Sequence, residues 1–166
     1  IIIKSLPGID MTSFRLLTGL AGLIMLFWSG CSGHHGEITE STPLALVSTG
    51  RAWGFVDTTG AWVVKPSFRD ASPFSEGLAL VNVRYKFGYI DKHGRYVLKP
   101  TYYEAKSFSG GRARVRDDFR WGYLDRSGNV VIPLQFDEVD DFYEGRARIR
   151  EGKVWGFIDT TGAWVA

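Results

Sequence analysis

The chain repeats itself with a fixed step. Trp53-Gly54-Phe55-Val56-Asp57-Thr58-Thr59-Gly60 returns as Phe87-Gly88-Tyr89-Ile90-Asp91-Lys92-His93-Gly94. It returns again as Trp121-Gly122-Tyr123-Leu124-Asp125-Arg126-Ser127-Gly128 and as Trp155-Gly156-Phe157-Ile158-Asp159-Thr160-Thr161-Gly162. The copies start at 53, 87, 121 and 155, a step of 34 residues each time. A period of this length marks a repeat architecture, in which one unit cannot bury its apolar face alone and neighbours complete one another.

Alignment extends each unit toward its amino end. Leu44-Ala45-Leu46-Val47 matches Leu78-Ala79-Leu80-Val81, Arg112-Ala113-Arg114-Val115 and Arg146-Ala147-Arg148-Ile149. Units therefore start near 44, 78, 112 and 146, and the repeat body covers 44–166. Each unit holds three short strand-like runs, placed in the first unit at 44–48, 53–57 and 61–65. The last two runs are joined by Asp-x-x-Gly. Its aspartate can accept from backbone N–H groups of the turn, and its glycine can take the positive φ of a type I turn with a glycine bulge. A residue present in every unit serves the unit, so Asp57, Asp91, Asp125 and Asp159 read as turn formers rather than Ca²⁺ ligands.

The segments between units repeat as well. Each carries an early aromatic (Phe68, Tyr102, Phe136) and a later one (Phe74, Phe108, Phe142), expected to plug the core between neighbours. Trp121 is expected to be buried between the third and fourth units. Pro66, Pro100 and Pro133 are expected to stop the third run, because proline cannot donate into a ladder.

The repeated Trp/Phe-Gly-aromatic-aliphatic-Asp-x-x-Gly core, the aliphatic-Pro after it and the later Phe-x-x-Gly resemble the bacterial WG-repeat family over about residues 44–166. The resemblance implies an all-β repeat array and no established catalytic residue. Together with the run lengths it gives the expected fold: an open array of four three-stranded antiparallel β-meanders of 34 residues, with a propeller-like arrangement as the alternative.

A different kind of segment precedes the repeats. Residues 1–10 read as an upstream extension, since Met11 is the first start codon residue. Residues 11–30 read as a helical signal peptide. Arg15 supplies the charge, and Leu16 to Trp28 form a largely apolar, uncharged run of 13 residues. That is short of the about 20 residues a membrane-spanning helix needs. Ser29-Gly30-Cys31 resembles the lipobox of bacterial lipoproteins, with Trp28 where leucine is usual; the resemblance implies lipidation of Cys31 and an envelope location, facing periplasm or surface at the outer membrane. Residues 31–43 then form a flexible tether rich in Gly, Ser and Thr. Cys31 is the one cysteine, so no intramolecular disulfide forms.

No catalytic motif of the P-loop, HExxH, GxSxG or CxxC type appears. His34 and His35 lack the further ligands a zinc site requires, and His93 takes a turn position, so neither a metal nor another cofactor is expected. Without residues 1–30 the chain carries 18 basic and 17 acidic side chains, which argues against a nucleic-acid partner. The units differ most in their first run. Alternation places Arg112, Arg114 and Arg116 on one face, and Arg146, Arg148 and Arg150 on the same face of the next unit. Two readings stand. One is a two-row strip that binds an anionic partner through guanidinium forks. The other is a solvated or structural face paired with Asp117, Asp118 and the acidic 137–144 loop. The expected function is a non-enzymatic, lipid-anchored envelope protein that binds a protein or an anionic polymer. The alternative is a periplasmic or surface glycan hydrolase built on a carboxylate pair.

Overall fold

A computed structural model describes residues 38, 39 and 42–165. The expected signal segment and Cys31 lie outside these residues. The described chain is all-β, without a helix. Its strands are β1 (Ala45–Ser48), β2 (Trp53–Val56), β3 (Trp62–Phe68), β4 (Asp70–Ala71), β5 (Ala79–Val83), β6 (Lys86–Ile90) and β7 (Tyr96–Tyr102). They continue as β8 (Glu104–Ala105), β9 (Ala113–Asp117), β10 (Arg120–Leu124), β11 (Val130–Phe136), β12 (Glu138–Val139), β13 (Arg146–Glu151) and β14 (Val154–Asp159). Four antiparallel sheets result, in the orders β1-β2-β3, β4-β5-β6-β7, β8-β9-β10-β11 and β12-β13-β14. The array is open, as the repeat reading expected, and not a closed propeller.

Two expectations need correction. The units are not uniformly three-stranded. The linkers contribute two-residue strands, β4, β8 and β12, each pairing with the first long strand of the next sheet; the second and third sheets therefore have four strands. Nor do the prolines stop the third strand. β3, β7 and β11 run through Pro66, Pro100 and Pro133. Trp53 faces Phe68 and Phe55 faces Val64, so two extra residues bulge between the pairs. The proline sits in this bulge, where no ladder N–H is required of it. Pro133 lies one position earlier than its counterparts, yet Trp121 still faces Phe136 and Tyr123 still faces Ile132.

The bulge explains the glycine of the Trp-Gly pair. A Cβ on Gly54 would stand 2.5 Å from the Val64 carbonyl oxygen and 2.8 Å from the Pro66 nitrogen. On Gly122 it would stand 2.5 Å from the Ile132 oxygen. The partner backbone folds over the strand at this point, leaving room for hydrogen alone.

The turns form as expected. Asp57 Oδ1 accepts from the amides of Thr59 at 2.8 Å and Ala61 at 3.0 Å, while Gly60 takes φ 84°. Partial burial pushes the Asp57 carboxyl up, but the Thr59 hydroxyl and the amides of Ala61, Thr59 and Gly60 together outweigh it and hold the group below its ordinary value. At Asp125, the hydrogen bond from the Asn129 amide is the leading cause of the same downward shift. These aspartates are spent on their own turns, and no cluster of three or more metal-ligating side chains occurs among the described residues.

Successive sheets stack face to face, with three apolar cores between them. Leu44, Leu46 and Phe55 of the first sheet meet Ala79, Val81 and Ile90 of the second. Leu78, Leu80 and Tyr89 on the other side of the second sheet meet Ala113, Val115 and Leu124 of the third. Tyr123, Ile132 and Phe136 of the third meet Ala147, Ile149 and Ile158 of the fourth. Trp121 is only half-buried at the edge of this last core; the fully enclosed aromatics there are Tyr123 and Phe136.

Candidate binding face

Each sheet has a forward face, turned toward the unit that follows. Strand pairing sets Leu46 opposite Phe55 on the first sheet and Leu80 opposite Tyr89 on the second. It sets Arg114 opposite Tyr123 on the third and Arg148 opposite Phe157 on the fourth. On the first three sheets the linker to the next unit covers this aromatic. Phe74 lies 4.7 Å from Phe55, Phe108 lies 5.0 Å from Tyr89 and Phe142 lies 4.8 Å from Tyr123, all between ring centroids. The Tyr89 hydroxyl donates to the Lys106 carbonyl at 2.7 Å, and the Tyr123 hydroxyl to the Asp140 carbonyl at 2.8 Å. Burial raises both phenols well above their ordinary value, which keeps them protonated as donors.

The six arginines divide by layer. Face-to-face stacking places the first row between the third and fourth sheets. Arg114 Nη1 donates to the Val139 carbonyl at 2.7 Å, and its Nε lies 2.7 Å from Asp141 Oδ1. Arg112 Nη2 donates to the Thr160 carbonyl at 3.1 Å. Both act as clasps between units, standing where Leu78 and Leu80 pack at the preceding junction. Arg116 pairs with Glu104 across its own sheet, and its guanidinium lies 5.3 Å from the Trp121 ring. The second row lies on the forward face of the fourth sheet. Arg150 grips Glu138 at 2.5 Å, the counterpart of Arg116 with Glu104. Arg148 pairs with Asp140 at 2.7 Å, with both side chains about half exposed, and sits 4.8 Å over the exposed Trp155. Arg146 is exposed. The two rows thus occupy successive layers and do not join into one surface.

The open surface is therefore the forward face of the fourth sheet. Phe157 is 44% exposed, although Phe55 and Tyr123 at the same repeat position are fully buried. Arg146, Arg148, Phe157, Asp140, Tyr143 and Glu144 line a wide depression of about 680 Å³. The sequence offered the arginines as candidates but not Phe157, Trp155 or Tyr143. The exposed aromatics became visible only once each buried counterpart had its covering ring.

The acidic cluster is held by arginines rather than aligned across a cleft. Asp137 pairs with Arg120 at 2.6 Å, Glu138 with Arg150, Asp140 with Arg148 and Asp141 with Arg114. His93 is an exposed turn residue whose amide donates to Asp91.

No curated protein and no solved structure matches the chain. The family model described as WG containing repeat matches residues 53–87, 87–118 and 121–155, more than half of the sequence. Those windows begin at the first three Trp/Phe-Gly pairs, whose glycines lie beneath the bulged partner strand, and the chain belongs to the WG containing repeat family.

Proposed function

We propose that the chain is a non-enzymatic binding protein of the bacterial cell envelope, and that it recognises its partner on the forward face of the fourth sheet. The observation that carries this reading is the contrast between equivalent residues. Arg112, Arg114 and Tyr123 are covered and bonded by the next unit, while Arg146, Arg148 and Phe157 present the same chemistry to solvent. Exposed aromatics beside arginines are the residue types that dominate protein interfaces. A protein partner therefore suits this face better than a purely anionic polymer, for which Asp140 and Glu144 are poor neighbours. The carboxylates of the alternative, a glycan hydrolase, are engaged in arginine pairs, which favours binding over turnover.

The lipobox-like Ser29-Gly30-Cys31 supports an anchor at Cys31, followed by the tether and the repeat array. An acyl pair there would hold the protein at a membrane, since a single chain gives only marginal attachment. Two measurements test the proposal. Cys31→Ala should move the protein from the membrane to the soluble fraction. Arg146→Ser with Arg148→Ser should abolish salt-sensitive retention on envelope preparations without lowering thermal stability; unchanged retention would remove the fourth-sheet face from the proposal.

A further inference from the structure

The molecule contains its own pattern for what this face accepts. On the third sheet the forward face is covered by the extended segment Val139-Asp140-Asp141-Phe142. Its Phe142 ring meets Tyr123 edge-on, its Asp141 carboxylate pairs with Arg114, and its Val139 carbonyl accepts from Arg114. The fourth sheet repeats the receiving side with Arg146 for Arg112, Arg148 for Arg114 and Phe157 for Tyr123. Only the tyrosine hydroxyl is lost. Among the described residues no ring covers Phe157.

We infer that the fourth sheet takes an extended acidic-aromatic segment of a protein partner, an Asp or Glu followed directly by an aromatic residue, docked as 139–142 docks on the third sheet. This deepens the binding proposal and rests on it. The geometry of the existing junction supplies each part of the specificity. The partner's aromatic ring would lie edge-on against Phe157, as Phe142 lies against Tyr123 at 64°. Its carboxylate would pair with Arg148, displacing the solvent-exposed Asp140, a pair that exchanges readily with a competing anion. Its carbonyl would accept from the same guanidinium, which presents several donors in a fixed plane. A polyanion without rings would satisfy Arg148 but leave Phe157 and Trp155 wet. A neutral aromatic segment would leave the guanidinium with its present exposed partner. Recognition by extended segments whose backbone and alternate side chains both engage a β surface is an established mode of peptide binding.

The probe is a fluorescently labelled peptide with the sequence of residues 137–145, Asp-Glu-Val-Asp-Asp-Phe-Tyr-Glu-Gly, added to the full chain and followed by anisotropy. Saturable binding is expected. It should fall at least tenfold when the peptide carries Phe142→Ala, and severalfold when it carries Asp141→Asn. The protein variants Phe157→Ala and Arg148→Ser should reproduce those two losses, and both residues are exposed, so the fold tolerates them. Absence of saturable binding, or equal binding of the Phe142→Ala peptide, overturns the inference. So does self-association of the chain that Phe157→Ala abolishes while the peptide fails to bind, because a second copy is then the occupant. Envelope retention that persists where the peptide fails overturns this inference alone; loss of both overturns the binding proposal as well.

Discussion

Phe142 lies edge-on against Tyr123, with ring centroids 4.8 Å apart, and the Tyr123 hydroxyl bonds the carbonyl two residues before that phenylalanine. One residue of the third sheet thus grips the linker twice, by ring and by hydroxyl. Tyr123→Ala should cost about 3–5 kcal/mol, as large-to-small core changes do. Tyr123→Phe should cost about 1 kcal/mol, since it removes one buried hydrogen bond. Trp121→Ala should cost less than Tyr123→Ala, because Trp121 is half-exposed. Urea unfolding of the three variants gives the order; a Trp121 effect larger than that of Tyr123 would contradict the packing.

Gly122→Ala tests the bulge that crosses the Trp-Gly pair. The added methyl meets backbone atoms of Ile132 and Pro133, which no rotamer change relieves. The loss should reach or exceed the about 1–3 kcal/mol of an overpacked core. A melting temperature equal to wild type would show that β11 lifts away at no cost.

The arginines of equivalent position should behave differently. Arg114→Ser leaves the Val139 carbonyl and Asp141 without their partner and should cost about 1–3 kcal/mol. Arg148→Ser breaks an exposed pair and should cost no more than about 1 kcal/mol. Arg114→Leu should recover part of the Arg114→Ser loss, since Leu80 fills that place at the preceding junction. Chemical denaturation of the set distinguishes a clasp from a surface charge.

Acid should loosen every turn together. Asp57, Asp91, Asp125 and Asp159 are all held below the ordinary carboxyl value in the fold. A depressed folded value stabilises the native state above the unfolded value near 3.8, and that contribution disappears as pH falls through the depressed one. Stability attributable to the turns should therefore be constant from neutral pH to about pH 5 and decline below pH 4. Asp91→Asn should flatten the decline in a melting series from pH 7 to pH 3; an identical slope would assign acid sensitivity to other groups.

The period of 34 made the turns, the covering phenylalanines and the alternation of Arg114 with Val115 readable, because each depends on residues close in sequence. The strand Asp70–Ala71 was not readable: two residues carry no alternation to detect. Pro66 misled because the rule against proline applies to bonded ladder positions, and the ladder leaves this one out. The two rows of arginine misled for a different reason. Alternation says which side of a sheet a residue occupies, but not what lies against that side. Only the stacking shows that Arg114 is roofed and Arg148 is not.

The covering rings also give the array a direction in time. Phe55 is sealed by Phe74, Tyr89 by Phe108 and Tyr123 by Phe142, in every case by a residue that follows it by 19 positions. A chain leaving the ribosome amino end first therefore exposes each forward face until the next linker emerges, and then closes it at once. Assembly proceeds as a succession of short-range closures, the kind that contact order associates with rapid folding. At any moment during synthesis, the aggregation-prone surface is the newest sheet alone.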